Sequence, residues 1–192
     1  MDVCLAFDGS DVDDWTAIRA ETIDGWQFTP TWGVDAAPTI WDPAQHGGSI
    51  PRVEVHAAVD ELFGRYDVAR MYCDPPYWDT EIQTWALRHG EERVIEWLTR
   101  RPVQMHEAAR RFVTDLSTGA LTHDGCPITA QHVAAARRLA RGADRYVLGK
   151  PAQHQKIDAA VTSVLAHEAA CDARAAGWGT RAPARPSFSF GS

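Results

Sequence analysis

The pattern of apolar and polar positions changes its period along the chain, and at the N-terminal end it predicts three strands. Residues 2–8 form a short apolar run typical of a buried strand. Residues 15–23 alternate as a second strand does, and residues 26–34 predict a third strand that Pro30 places at a sheet edge. The short separations favour an antiparallel meander, and the Pro- and Gly-rich segment 35–51 predicts a loop.

Downstream, segments with helical spacing alternate with strand-like runs. The apolar positions from Arg52 to Tyr66 recur at helical spacing, and residues 67–73 return to a strand that ends at Asp74 before two prolines. The remaining predicted elements are a strand at 93–98 and helices at Thr80–His89, Val103–Ser117, from a cap at Thr129 to about Arg141, and Lys156–Ala176. This order predicts an α/β protein with a mixed sheet covered by helices.

Length and composition favour one globular domain. The chain has 192 residues, 45% of them hydrophobic, which is enough for a sizeable core. We expect this domain to span residues 1–176, because residues 177–192 are rich in Pro, Ser, Gly and Arg and predict a disordered tail. No stretch approaches the roughly 20 apolar residues of a membrane span, and the N-terminus lacks the pattern of a secretory signal.

The four cysteines and the net charge narrow the functional classes. The cysteines lie far apart without a CxxC pair, so we expect reduced thiols in a cytoplasm-like compartment rather than a disulfide framework or a zinc site. The formal net charge of −7 argues against a module that coats DNA by charge alone. It does not exclude a nuclease, because clustered metal-binding carboxylates themselves lower the charge of the metal-free protein.

Three carboxylates stand out by their positions. Asp8 ends the first strand, Asp74 ends the strand after the first helix, and Asp158 opens the last helix. In a right-handed crossover the two strands lie parallel and often adjacent, so both side chains emerge at one sheet edge. A helix laid across the sheet can present Asp158 there, and three such groups suit two Mg²⁺ or Mn²⁺ ions roughly 4 Å apart.

Each of these carboxylates also has a purely structural interpretation. Asp8 precedes Gly-Ser and Asp74 precedes Pro-Pro, so both are candidate turn formers. Asp158 in the first turn of a helix is favourable for the helix dipole. The joint placement at two strand ends and a helix start favours the metal site.

Four segments resemble the nuclease domain of tailed-phage terminase large subunits, which has a ribonuclease H-like fold. They are DVCLAFDGS with the following WTAI, MYCDPPYW, GALTHDGCPITAQHVAAARR and KIDAAVTSVLAHEAA, and they touch most of residues 1–176. The resemblance implies a five-stranded mixed sheet, with an antiparallel three-strand meander, parallel strands and helices on both faces.

The resemblance also implies a function. Asp8, Asp74 and Asp158 match the catalytic and metal-binding acidic residues of that family, with Asp14, or less favourably Asp11 or Asp13, as an added ligand. It implies two-metal hydrolysis with Mg²⁺ or Mn²⁺, Asp8 bridging both ions, and cleavage of concatemeric double-stranded viral DNA during packaging. The implied partners are an ATPase domain in the parent protein, the small terminase subunit and the portal, in the host cytoplasm.

The chain departs from a full terminase, and two rival functions stay open. It has no GxxxxGK[ST] phosphate loop and begins almost at the first catalytic strand, so it looks like an excised C-terminal domain without the ATPase half. One rival is another ribonuclease H-like nuclease, such as a resolvase or transposase. The other is a non-cutting module that docks DNA or portal protein.

Further side chains have two interpretations each. Lys150, Lys156, Arg138 and Arg141, with Arg100, Arg101, Arg110 and Arg111, lie in basic stretches that either contact DNA phosphates or form ordinary exposed faces. The His123-Asp124-Gly125 segment is a candidate acid/base or a turn. Among the eight tryptophans we expect Trp85 and Trp97 in the core, and Trp41 and Trp78 as candidates to line a substrate groove.

Overall fold

The computed structural model describes residues 1–142, 144–152 and 154–180, and its centre is a seven-stranded mixed sheet. The strands of this sheet are β1 (Asp2–Asp8), β2 (Thr16–Thr22), β3 (Trp26–Phe28), β6 (Ile40–Trp41), β7 (Asp67–Cys73), β8 (Val94–Glu96) and β9 (Thr122–His123). Neighbours are hydrogen-bonded in the order β8-β7-β1-β2-β3-β9, and β6 pairs with β2 outside this order.

The central strand β1 is buried on both faces of the sheet. β1 is apolar and buried from Val3 to Phe7, as expected of a strand between two layers of helices. It pairs antiparallel with β2, with Asp8 opposite Ala17, and parallel with β7, with Phe7 opposite Cys73. The strand ends at Asp8 and Asp74 therefore share one edge of the sheet.

Five helices complete the fold, and four of them cover the two faces of the sheet. The helices are α1 (Arg52–Arg65), α2 (Asp79–His89), α3 (Pro102–Thr118), α4 (Pro127–Ala135) and α5 (Asp158–Ala175). Leu5 and Phe7 of β1 pack against α1 and α2, whereas Cys4 and Ala6 pack against α3 and α5. The period-2 alternation of β1 thus divides the core into two layers.

This architecture confirms the predicted α/β class, with a larger sheet than expected. The antiparallel meander β1-β2-β3 and the parallel strands β7 and β8 are the five predicted strands. The two-residue strands β6 and β9 extend the sheet beyond them. None of the described helices combines the length and apolar character needed to cross a bilayer.

The predicted third strand and the predicted loop after it are wrong in detail. The strand stops at Phe28, because Pro30 has no backbone N–H for the ladder, and β4 (Thr31–Trp32) pairs with β5 (Ala37–Pro38) instead. Segment 35–51 holds β5, β6 and a 3-10 helix at Pro43–His46. Tertiary pairing imposes these elements: Ile18 donates its N–H to the carbonyl of Thr39 (2.8 Å).

The helix predicted from Thr129 to about Arg141 is also wrong, because α4 begins at Pro127 and ends at Ala135. A hairpin of β10 (Arg137–Ala140) and β11 (Tyr146–Gly149) replaces its second half. Val147 and Leu148 pack against the core layer that contains α3, so tertiary contacts outweigh local helix propensity. A side chain at Gly149 would meet Cδ1 of Leu139 at 2.1 Å, so the Leu139 side chain would have to move to admit it.

Two further predictions concern the tryptophans and the C-terminal tail. Trp85 and Trp97 are core residues as predicted, but Trp41 and Trp78 are buried as well, so assigning them to a substrate groove was wrong. After α5, the N–H of Trp178 donates to the carbonyl of Ala173 (2.9 Å) in a turn. The rest of the predicted tail, residues 181–192, lies outside the described residues.

Candidate active site

The ends of β1 and β7 bring Asp8 and Asp74 together, and α5 adds Asp158. The N–H of Asp74 donates to the carbonyl of Phe7 (3.0 Å), which fixes the two strand ends side by side. Burial, and then the charges of Asp158, Asp74 and Asp14, raise the pKa of Asp8 well above its usual range. The charges of Asp74 and Asp158 therefore both act on the carboxyl group of Asp8.

The carboxylate of Asp74 is held by Thr99, just beyond β8. Its Oδ1 accepts the Thr99 backbone N–H (3.1 Å), and its Oδ2 accepts the Thr99 hydroxyl (2.5 Å). Burial raises the pKa of Asp74, and the two hydrogen bonds from Thr99 and the nearby charge of Arg100 oppose that rise. Asp74 is thus oriented by a neighbouring strand end.

Asp158 presents a carboxylate oxygen without a hydrogen bond. Its Oδ2 is buried and has no hydrogen-bond partner among the described residues. Burial and the charge of Asp14 raise its pKa to about 6. An unpartnered buried carboxylate oxygen is costly, and a cation is the group that would satisfy it.

The start of α5, and hence Asp158, is positioned by a buried histidine on α4. The N–H of Ala159 donates to Nδ1 of His132 (3.1 Å), which satisfies one of the free N–H groups of the first helical turn. His132 packs edge-on against Trp15, with 5.0 Å between ring centroids. Burial and the charge of Lys156 lower the pKa of His132 to about 4, so its Nδ1 stays free to accept near neutral pH.

Asp14, the additional candidate ligand, is already paired with two lysines. Its Oδ1 lies 2.5 Å from Nζ of Lys150 and 2.9 Å from Nζ of Lys156. Burial alone would raise the pKa of Asp14, but the hydrogen bonds from both lysines lower it. Asp14 is therefore a charged neighbour of the site, and its Oδ1 already contacts the ammonium groups of two lysines.

The loop from Asp8 to Asp14 is held by close packing. A side chain at Gly9 would lie 2.5 Å from the Phe7 ring and from the Trp78 indole, so only glycine fits. The Trp78 indole donates to the carbonyl of Ser10 (3.0 Å). Asp11, a less favoured candidate ligand, instead pairs with Arg52 (3.0 Å).

Three of these four carboxylates, all but Asp74, line an open cleft of about 610 Å³. Its lining includes Asp8, Asp14 and Asp158 together with Tyr77, Thr99, Arg100, Arg141 and Lys150. Of the four basic residues proposed to bind DNA, Lys150 and Arg141 line the cleft and Lys156 reaches it through Asp14. Arg138 does not line this cleft, and its guanidinium lies over the Tyr146 ring at 4.8 Å.

Several site residues were missed by the sequence analysis. Thr99 and His132 are ordinary polar residues until the fold places one beside Asp74 and the other beneath α5. Tyr77 follows two prolines at a positive φ of 67°, a conformation that is strained for a tyrosine. Asp124 of the His123-Asp124-Gly125 segment is used elsewhere, because it pairs with Arg19 and caps the N–H of Cys126.

The fit of the site to metal ions rests on its donor set. Asp8, Asp74 and Asp158 offer carboxylate oxygens, the ligands that Mg²⁺ and Mn²⁺ prefer, and the unpartnered oxygen of Asp158 is suited to a cation. The oxygens of these three carboxylates do not all lie within 4.8 Å of one another in the structure. Among the described residues, the one group of three side chains whose ligand atoms lie within 4.8 Å of one another is Asp115, His167 and Cys171, away from this cleft.

The chain is similar to proteins of two mycobacteriophages. It is 34% identical over 182 residues to the gene 13 protein of Mycobacterium phage D29 and 32% identical over 182 residues to that of Mycobacterium phage L5. In both cases the match covers 88% of this chain and 29% of the relative, so the chain spans less than a third of their length. No protein-family model matches the chain.

Solved structures show the same architecture. The bacteriophage HK97 large terminase superposes with a TM-score of 0.66 at 17% identity, over 86% of this chain and 39% of that protein. The large terminase nuclease of thermophilic phage G20c with bound magnesium gives a TM-score of 0.59 at 11% identity, over 86% of this chain and 80% of that one. The chain therefore has the ribonuclease H-like fold of the phage large-terminase nuclease domain, as its sequence resemblance implied.

Proposed function

We propose that this chain is a metal-dependent endonuclease domain of a phage terminase large subunit, which cleaves concatemeric double-stranded viral DNA during packaging. The observation that carries this proposal is the meeting of Asp8, Asp74 and Asp158 at one sheet edge, with an unpartnered Asp158 oxygen, in a large-terminase nuclease fold. The bound magnesium of the G20c nuclease supports a divalent ion for this fold.

In this proposal Asp8, Asp74 and Asp158 hold two Mg²⁺ or Mn²⁺ ions. Bound divalent ions activate a water for attack on phosphorus and stabilise the leaving oxygen. Thr99 keeps the Asp74 carboxylate oriented, and His132 keeps Asp158 at the start of α5. Close carboxylates that repel one another in the free protein gain most from binding a cation, which is why Asp8 is central.

The cleft supplies positive charge for the DNA backbone. Arg100, Arg141 and Lys150 lie around the acidic centre, although the whole chain carries a net charge of −7. Contacts of these groups to phosphates carry no sequence information, so we expect weak sequence specificity. The proposed partners in the parent protein are its ATPase domain, the small terminase subunit and the portal, and the proposed location is the host cytoplasm.

The test is a nicking and linearisation assay on supercoiled plasmid in Mg²⁺, Mn²⁺ or EDTA. We expect metal-dependent cutting by the wild type that falls to the EDTA background in Asp8→Asn, Asp74→Asn and Asp158→Asn. Asp35→Asn is the matched control, because this exposed carboxylate lies in the turn between β4 and β5 and does not line the cleft. Circular dichroism shows whether each variant is folded.

Each rival function predicts a different outcome of this assay. Cutting that survives all three substitutions contradicts the assigned site. A folded wild type that binds DNA without cutting it in any metal favours the docking module. A four-way junction cleaved in preference to linear duplex favours a resolvase on the same fold.

A further inference from the structure

A second cluster of ligating side chains lies where β2, α3 and α5 meet. Asp115 comes from the last turns of α3, and His167 and Cys171 come from one face of α5, four residues apart. Glu21 of β2 lies beneath them and is fully buried. None of these residues takes part in the proposed nuclease site.

The imidazole of His167 is fixed from both sides. Its Nδ1 lies 3.0 Å from Oε2 of Glu21, and its Nε2 lies 2.9 Å from Oδ2 of Asp115. The Sγ of Cys171 is 3.6 Å from the same Nε2. One nitrogen, one sulfur and one oxygen thus face a common point, all within 4.8 Å of one another.

These separations are close to those of a tetrahedral zinc site. With typical Zn–N and Zn–S bonds, a nitrogen and a sulfur on one ion lie about 3.5 Å apart, and Nε2 and Sγ here are 3.6 Å apart. The oxygen should lie about 3.4 Å from the nitrogen, so the Asp115 carboxylate must retreat from its 2.9 Å contact. Its side chain is 31% exposed and has room to do so.

Glu21 supplies the supporting contact that metal-bound histidines usually have. Its carboxylate accepts from Nδ1 of His167, which directs the other nitrogen towards Asp115 and Cys171. Gln27 donates to Glu21 (2.9 Å), and Arg174 donates both to Glu21 (3.0 Å) and to the Cys171 sulfur (3.4 Å). The ring orientation is therefore set before any ion arrives.

Charge and donor type both select the ion. Once an ion replaces the proton on Nε2 of His167 and Cys171 is a thiolate, the charges of Glu21, Asp115 and Cys171 outweigh that of Arg174 by two, which one divalent ion neutralises. Arg111, the other nearby guanidinium, interacts with Cys171 as well, but its charge is balanced by its ion pair with Glu168. A set of one imidazole, one thiolate and one carboxylate suits zinc and not magnesium.

We propose that Asp115, His167 and Cys171 bind one zinc ion, with a fourth position open to solvent, and that this ion ties α3 to α5. The cysteine spacing in the sequence indicated no zinc site, because a site with a single cysteine leaves no CxxC pattern. The site is separate from the nuclease centre, since Glu21 lies four residues along β2 from Ala17, the partner of Asp8, or about 13 Å.

The test is a cobalt and zinc titration of the full chain after removal of metals with EDTA. We expect one equivalent of Co²⁺ to give a thiolate-to-cobalt charge-transfer absorption band, and one equivalent of Zn²⁺ to displace it and raise the Tm. The band is expected to vanish in Cys171→Ser and to persist in Cys126→Ser, the matched control outside the cluster. Asp115→Asn should weaken zinc binding by about 10-fold or more.

Two results would overturn the proposal, and one further titration separates the zinc site from the nuclease site. A folded wild type that binds no stoichiometric cobalt or zinc overturns the proposal, and so does a band that survives both Cys171→Ser and His167→Asn. Repeating the titration in the Asp8→Asn background separates the two sites, because this variant should bind zinc as the wild type does whether or not the nuclease proposal holds. Circular dichroism of the metal-free variants confirms that they fold.

Discussion

At the residue scale, the acidic side chains in and beside the cleft differ in what their oxygens contact. Asp14 is neutralised by Lys150 and Lys156, and both oxygens of Asp74 accept hydrogen bonds from Thr99. Asp158 keeps a buried oxygen without a partner among the described residues. Residue type alone does not distinguish these roles, because the neighbours of each carboxylate decide its availability.

Thr99→Val tests the supporting contact to Asp74. The substitution keeps the backbone hydrogen bond and removes the 2.5 Å hydroxyl bond, so the carboxylate loses one restraint. We expect metal-dependent cleavage to fall about 10-fold or more and the metal concentration for half-maximal cleavage to rise. Thr84→Val is the control, because that exposed hydroxyl bonds only to the Thr80 carbonyl of its own helix. Equal rates for Thr99→Val and the wild type would contradict this role.

The sequence predicted the acidic residues of the site but not the residues that support them. Asp8, Asp74 and Asp158 were predicted from strand ends and a helix start, which are local features of the chain. Thr99 and His132 act through contacts 25 and 27 residues away along the chain, with Asp74 and Ala159, and no local pattern reports such contacts. Whether the three carboxylates bind metal stays a prediction.

At the element scale, α5 is positioned by what meets its first turn. α4 ends early, at Ala135, and its His132 accepts the N–H of Ala159. The predicted longer helix to Arg141 would have removed the hairpin whose Lys150 side chain follows β11 and pairs with Asp14. Strands and helices with a strong period were predicted well, whereas short pairings such as β6 and β10 depend on distant partners.

The buried His132 predicts a specific acid sensitivity. Its pKa is lowered from 6.5 to about 4, so the unfolded chain binds a proton more readily than the folded one between these values. The contribution of His132 to the free energy of unfolding is fully present above pH 6.5. It falls as the pH drops towards 4, by up to about 3 kcal/mol. Urea unfolding at several pH values measures this loss.

The matched variants for this prediction are His132→Asn and His154→Asn. Asparagine at 132 retains an acceptor for the Ala159 N–H but does not titrate, so the variant should lose less stability between pH 6.5 and 4 than the wild type. His154 is exposed, and its replacement should leave the profile unchanged. An identical acid profile for His132→Asn and the wild type would exclude this origin.

At the scale of the whole molecule, this acidic protein has several basic side chains around the carboxylates of the cleft. The net charge is −7, yet Arg100, Arg141 and Lys150 all line the cleft. The net charge of the chain therefore does not predict whether this cleft can bind DNA, because a phosphate backbone responds to the local electric field. The composition could not reveal this arrangement, because it depends on the hairpin that brings Arg141 and Lys150 to the cleft.

Charge removal in the cleft should weaken DNA binding with a change in salt dependence. We expect Arg100→Gln and Arg141→Gln each to lower the affinity for duplex DNA and to reduce the slope of log K against log salt by about 1. Arg110→Gln is the control, because Arg110 is exposed on α3 and pairs with Glu107. Fluorescence anisotropy in Ca²⁺ at several salt concentrations measures both quantities. Slopes unchanged by the cleft variants would place the DNA elsewhere.

The most direct test of the central claim is anomalous diffraction from crystals of the chain soaked in Mn²⁺. We expect manganese peaks between the carboxylates of Asp8, Asp74 and Asp158, and their loss in Asp8→Asn crystals grown and soaked in the same way. No manganese at this sheet edge, or the same peaks in the Asp8→Asn crystals, would contradict the assignment of these three residues as the metal site.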